Sequence, residues 1–207
     1  MLEQISKAIQ ESREEEILDL VEDALEKNVE PQTILNQGMI AGMRIVGRKF
    51  KNGEFFIPEV MLSAKTMQIG LARLEPLLAE TGIKKKGKLL IGTVKDDMHD
   101  IGKNIVSIMF KGAGFEVIDL GTDVSADQFI DKAYEVNPDI IGLSALLTTT
   151  MANMKIIVQE LIDEDFGALI MVGGAPVNQE FAKSIGAKYS KNAAEAVELA
   201  ESFIENR

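Results

Sequence analysis

The chain contains a single histidine, His99, and it lies in an acidic stretch, Lys95-Asp96-Asp97-Met98-His99-Asp100-Ile101-Gly102. Imidazole is the commonest nitrogen ligand a protein offers a metal. Asp97, two residues earlier, can accept a hydrogen bond from the other ring nitrogen, which fixes the tautomer and strengthens the ring as a donor. Gly102 lets a bulky group approach the backbone. The alternative reading is a surface-loop histidine with no special role. There is no cysteine, which removes disulfides, thiolate zinc, iron–sulfur clusters and thiol nucleophiles. With no second histidine, structural zinc has no ligand set. A lone imidazole therefore points to a metal whose other positions are filled by something else, such as a macrocycle.

Other polar and small residues follow apolar runs: Gly121-Thr122-Asp123, then Ser144 with Thr148-Thr149-Thr150, then Gly173-Gly174-Ala175-Pro176. Taken singly, Ser144 and Thr148 are strand-end caps and the glycine pair is turn chemistry. Taken together, they matter only if the elements before them converge on one edge. The spacing predicts that they do. From Leu89 onward, strands over 89–94, 115–120, 139–144, 168–172 and 188–190 alternate with helices over 101–110, 126–136, 151–162, 179–185 and 193–204. Such alternation means βαβ units and a parallel sheet. The expected architecture is α/β, a flavodoxin-like, doubly wound, five-stranded parallel sheet. Ligands of such sheets bind beyond the carboxyl ends of the strands, at the switch point. A phosphoacceptor receiver is excluded, since it needs an aspartate where Ser144 stands. A flavodoxin fits poorly, because the carboxylates after the first strand would repel a phosphate.

Residues 1–80 carry helical spacing instead: Leu2, Ile5 and Ile9; Ile17, Leu18, Val21 and Leu25; Ile34, Leu35, Met39, Met43 and Val46; then Val60, Met61, Ala64, Met67, Leu71 and Leu74. Pro31 suits an early helical position, Gly47 to Gly53 reads as a break, and the last helix is expected to open at Pro58 and stop before Pro76. This predicts an N-terminal four-helix bundle over 1–85 and a Rossmann-like domain over 86–207. The basic, glycine-flanked stretch Thr81–Lys88 is the boundary.

The formal net charge is −11, which disfavours nucleic acid and anionic membrane surfaces as partners. No Trp and only two Tyr leave little for base-stacking platforms. The N-terminus lacks the basic start and apolar core of a signal peptide, and no apolar run approaches the ~18 residues of a membrane span. A cytoplasmic protein is expected.

The joint pattern Asp97-x-His99-x-x-Gly102, Ser144-x-Leu146 and Gly173-Gly174 resembles the signature of cobalamin-binding domains. The full chain is similar to the corrinoid proteins of methyltransferase systems and to the cap plus cobalamin-binding module of methionine synthase. The resemblance implies a cobalamin or related corrinoid bound base-off and His-on, with His99 as the lower cobalt ligand. Asp97 would hydrogen-bond His99. Thr150 stands where a serine commonly completes the relay, and it keeps the hydroxyl. Ser144, Thr148 and, less firmly, Ala193 would touch the displaced nucleotide tail, with room left by Gly102, Gly173 and Gly174. In the bundle, Phe50 and Ile57, with Val60 nearby, would shield the upper face of the corrin; packing as bundle core is compatible with that.

The implied function is a methyl carrier. It accepts a methyl group on Co(I) from a substrate-specific corrinoid methyltransferase and passes it from methyl-Co(III) to a second methyltransferase, whose acceptor is a folate, a tetrahydropterin or a thiol. A reductive activase is a further implied partner, and the carrier performs no full turnover alone. The lid must open to two partners, so Thr81–Lys88 is expected to act as a hinge, and the acidic surface suits basic rims on those partners. The alternatives are a cobalamin-binding sensor and a subunit of an adenosylcobalamin-dependent mutase.

Overall fold

A computed structural model describes residues 1–80 and 85–207. They divide into two compact units: Met1–Lys85 together with Gly112–Gly114, and Lys86–Lys111 together with Phe115–Arg207. Of the expected hinge, residues 81–84 lie outside the described part, and Lys88 already belongs to the first strand.

The first unit is helical. Its rods are α1 (Leu2–Gln10), α2 (Glu14–Glu26), a continuous rod of α3 (Pro31–Thr33), a π-helical stretch (Ile34–Ile40) and α4 (Ala41–Lys51), and finally α5 (Ile57–Glu80). Ile5, Ile9, Ile17, Val21, Met39, Met43, Val46, Val60, Met67 and Leu74 are all buried, the stripe that the helical spacing implies. Gly42 lets α1 come close. A Cβ there would lie 2.9 Å from the Ser6 carbonyl oxygen, too near to be accommodated.

Two expectations for this unit are corrected. Gly47 is no break: α4 runs through it and buries it, and the chain leaves the helix only after Lys51. The cost of a glycine in a helix is about 1 kcal/mol, less than what the packed face of Met43 and Val46 returns. Pro76 does not end α5 either, which continues to Glu80. Proline removes one backbone donor, but Leu74 and Leu78 on either side of it are both buried, and their packing holds the helix together.

The second unit is the α/β domain. Its elements are β1 (Lys88–Thr93), α6 (Ile101–Gly112), β2 (Glu116–Asp119), α7 (Ala126–Val136), β3 (Ile140–Ser144), α8 (Met151–Asp163), β4 (Leu169–Gly173), α9 (Gln179–Ser184), β5 (Lys188–Tyr189) and α10 (Ala193–Glu205). All strand pairs are parallel, in the order β2-β1-β3-β4-β5. That is the flavodoxin-like order, with its switch point between β1 and β3. β1 and β3 are buried almost throughout, as befits strands covered on both faces. The caps are explicit. Ser125 and Gln128 form a capping box at α7, and the Asn178 and Asn192 side chains cap α9 and α10, each worth about 1 kcal/mol.

Register sets the site. Thr93 pairs with Ser144, and Ser144 pairs with Gly173. The three strand ends therefore stop level with one another, and the loops that follow them leave from one edge.

Candidate cofactor-binding site

The loop after β1 carries Asp97 and His99. Asp97 is 0% exposed, whereas the His99 side chain is 53% exposed. One carboxylate oxygen of Asp97, Oδ1, lies 2.8 Å from His99 Nδ1 and also accepts the His99 backbone N–H at 3.1 Å. The other, Oδ2, accepts from Thr150 Oγ1 at 2.7 Å and from the Leu146 N–H at 2.8 Å. The Thr93 hydroxyl donates to the His99 carbonyl at 2.9 Å. A buried carboxylate on Nδ1 makes Nδ1–H the protonated position and leaves the lone pair on Nε2.

Burial by itself pushes the Asp97 carboxyl up. The hydrogen bonds from Thr150, the Leu146 amide, the His99 ring and the His99 amide outweigh it and hold the group well below the usual carboxylate range. Thr150 is the N-cap residue of α8, yet its side chain makes no cap bond to the helix. The hydroxyl goes to Asp97 instead, forgoing a cap worth about 1 kcal/mol. Thr150→Ser is expected to leave stability within about 0.5 kcal/mol, and Thr150→Val to lose about 1.5–3 kcal/mol, the value of a hydrogen bond to a charged group. Equal midpoints for the two variants in denaturant melts would contradict this.

Asp97, His99 and Thr150 are thus brought together from two loops. Ser144 is half-buried at the end of β3, and Thr148 is exposed in the β3–α8 loop. Gly102 lies in the first turn of α6 and Gly173 at the end of β4. A Cβ at either position would meet nothing within 4 Å. The fold therefore makes no steric demand for glycine there. Gly174 differs: its φ is +132°, and a Cβ would fall 1.8 Å from the Ala145 carbonyl oxygen. Ala193 opens α10 and is buried, so little of its side chain is available to a ligand.

In the helical unit, Phe50 is half-buried near the end of α4 and Ile57 is exposed at the start of α5. Val60 packs as bundle core. It is 0% exposed, because one turn into α5 its side chain enters the bundle core. Phe56 and Met61 are exposed beside it; helical spacing did not single out Phe56, and it included Met61, which lies outside the buried stripe.

The Leu146 amide was also not legible in the sequence, because any residue supplies a backbone N–H. Four large apolar residues flank His99 in its own and the facing loop: Met98 and Ile101, 70% and 69% exposed, and Leu146 and Leu147. Exposed apolar groups gathered in this way mark a binding surface. Among the described residues, no three His, Asp or Glu side chains gather to hold a metal ion.

The sequence matches family models described as B12 binding domain over residues 87–198 and again over residues 1–75. The chain belongs to the B12-binding family. It is 42% identical to a corrinoid protein of Desulfitobacterium hafniense (strain Y51), with 99% of this chain and 97% of that one covered. It is 44% identical to dimethylamine corrinoid protein 2 of Methanosarcina acetivorans, over 99% and 96%. Its structure is similar to a chain in the crystal structure of the methanol:cobalamin methyltransferase complex from Methanosarcina barkeri: the TM-score is 0.88 at 31% identity, with 98% of this chain and 79% of that one covered.

The residues present fit the cofactor that B12-binding proteins take. An exposed imidazole is hydrogen-bonded to a buried carboxylate, exposed apolar side chains lie near it in sequence and in the facing loop, and two glycines leave open space that a Cβ would enter. Among the described residues no helix is long and apolar enough to cross a membrane. The open space at Gly102 yields a prediction of opposite signs. Gly102→Ala is expected to raise the stability of the cofactor-free fold by up to about 1 kcal/mol, since alanine is the better helix former, while lowering corrinoid retention on gel filtration. A fall in stability, or retention equal to wild type for Gly102→Leu as well, would contradict the role of this glycine.

Proposed function

We propose that the chain is a corrinoid methyl carrier, loaded by a substrate-specific methyltransferase and unloaded by a second one. The observation that carries this reading is the Thr150–Asp97–His99 array at the switch point. It fixes one ring nitrogen and leaves the other, on an exposed ring, available to a metal. A corrinoid bound there supplies cobalt, which takes up a methyl group in its Co(I) state and gives it up from Co(III).

His99 Nε2 would hold the cobalt from below, in place of the cofactor's own base. Ser144, Thr148, Gly102, Gly173 and Gly174 would line the path of the nucleotide tail. Asp97 keeps the Nδ1 proton in place, and Thr150 and the Leu146 amide keep Asp97 ionised. The Asp97 carboxylate, 2.8 Å from Nδ1, would orient the ring with Nε2 towards the metal. Phe50 and Ile57 would exclude water from the upper side, where an apolar cover protects a reactive group. The expected acceptor is a folate, a tetrahydropterin or a thiol, and a reductive activase would restore Co(I).

Relatives named for dimethylamine and trimethylamine support a methylamine as the methyl donor. The test uses protein loaded with cobalamin and reduced to Co(I). It is mixed with the dimethylamine, trimethylamine or methanol methyltransferase and the matching substrate, and cobalt methylation is followed by absorbance. Methylation from a methylamine is expected. Methylation from methanol alone would overturn the donor class, and none from any donor would overturn the carrier reading.

A further inference from the structure

The loop that carries His99 is held from behind by the next loop along the sheet edge. Asp96, in the β1–α6 loop, has φ 66°, and Asp123, in the β2–α7 loop, has φ 57°. Both are in the left-handed region that a side chain disfavours and that aspartate tolerates better than most residues. The two loops are tied reciprocally. The Asp96 N–H donates to Asp123 Oδ1 at 2.7 Å, and the Asp123 N–H donates to the Asp97 carbonyl at 3.0 Å.

The pairing of β1 with β2 also continues past the strands. The Thr93 N–H donates to Gly121 O at 2.9 Å, and the Val124 N–H to Thr93 O at 3.0 Å. The base of the second loop is itself anchored: one Asp119 carboxylate oxygen accepts the Gly121 N–H at 2.8 Å, and the other takes the buried Lys103 ammonium. Asp97 is therefore gripped on two sides, by its carboxylate from the β3–α8 loop and by its carbonyl from Asp123.

We propose that Asp123 is a positioning residue for metal ligation by His99. Its carboxylate clamps Asp96 in the left-handed conformation, and that conformation aims the Asp97 carboxylate at the His99 ring. This rests on the reading of His99 as the cobalt ligand. The Asp123 carboxylate is exposed, so its loss bears on the local path of the loop more than on the fold. Groups that orient a metal-binding histidine are worth about 10–100-fold in ligation.

The test separates backbone conformation from the hydrogen bond. Asp123→Asn keeps the acceptor oxygen and tolerates the left-handed conformation. Asp123→Gly keeps the conformation and removes the acceptor. Each protein is loaded with cob(II)alamin, and the nitrogen splitting in its electron paramagnetic resonance spectrum reports axial imidazole. Wild type and Asp123→Asn are expected to match, with the ratio of His-ligated to unligated cobalt reduced about tenfold in Asp123→Gly. A glycine variant equal to wild type overturns the inference, and so does equal loss in both variants, which would trace the effect to charge. A wild type without histidine-derived splitting overturns the ligand reading itself, whatever Asp123 does. If Asp123→Gly does not fold, amide exchange in the wild type decides. Protection of the Asp96 N–H supports the clamp, and exchange at the unprotected rate overturns it.

Discussion

Gly174→Ala is expected to destabilise the protein by about 3 kcal/mol or more, through a disfavoured backbone conformation together with a forced clash. The added methyl would sit 1.8 Å from the Ala145 carbonyl oxygen, at a φ of +132°. Neither neighbour is the end of a flexible side chain: the clash is with backbone, and that backbone continues β3. Ala145 donates its N–H to Gly173 O at 3.2 Å, and the next residue, Leu146, donates to Asp97 at 2.8 Å. Any shift that relieves the clash therefore displaces a donor to the buried carboxylate, so the variant is expected to lose corrinoid along with stability. Denaturant melts and retention of cobalamin on gel filtration check both. A loss below about 1 kcal/mol would show that the β3 and β4 ends can separate at little cost.

Asp97→Ala is expected to cost about 3–5 kcal/mol, the range for removing one partner of a buried charged cluster. It removes, at a position that is 0% exposed, the acceptor of the Leu146 amide and the His99 Nδ1–H, and leaves the Thr150 hydroxyl only the Leu147 carbonyl. Asp97→Asn is expected to cost less. Its amide keeps an oxygen for His99, and Thr150 Oγ1 retains the Leu147 carbonyl as an alternative acceptor at 2.9 Å.

The aspartate also gives a pH signature. Its carboxyl is held below the ordinary range in the folded state, so the fold favours the ionised form. The stabilisation is complete above the unfolded value near 3.9 and is lost as pH falls from there towards the lower folded value. Wild type is therefore expected to lose more stability than Asp97→Asn between about pH 5 and pH 3. Melts at those pH values give the difference, and equal losses would mean that the carboxylate is not held in this way.

How much of this was legible in the sequence depended on the kind of signal. The helix over 126–136 was found to the residue, and the structure shows why its ends are sharp: Ser125 and Gln128 cap it and Asn137 stops it in a left-handed conformation. The sheet was found because short apolar runs alternate with helix-like segments after Leu89. Gly47 and Pro76 misled because they report local propensity, and packing overrode it.

In the site, His99 and Asp97 stood out by type and spacing. The burial of Val60 followed from its place in the helical stripe. The Leu146 amide and the Asp96–Asp123 clamp had no sequence signal of their own. They depend on strand register and on a left-handed backbone, and only the folded chain brings them together.

His99 is the only histidine in the chain, so isotopic labelling of histidine marks one ring and no other. The most direct measurement is the electron paramagnetic resonance spectrum of the protein loaded with cob(II)alamin, prepared once with ordinary and once with 15N-labelled histidine. Ligation by His99 predicts that the nitrogen splitting changes from a triplet to a doublet on labelling. An unchanged triplet would mean that the cofactor keeps its own base on the cobalt and that His99 is not the ligand.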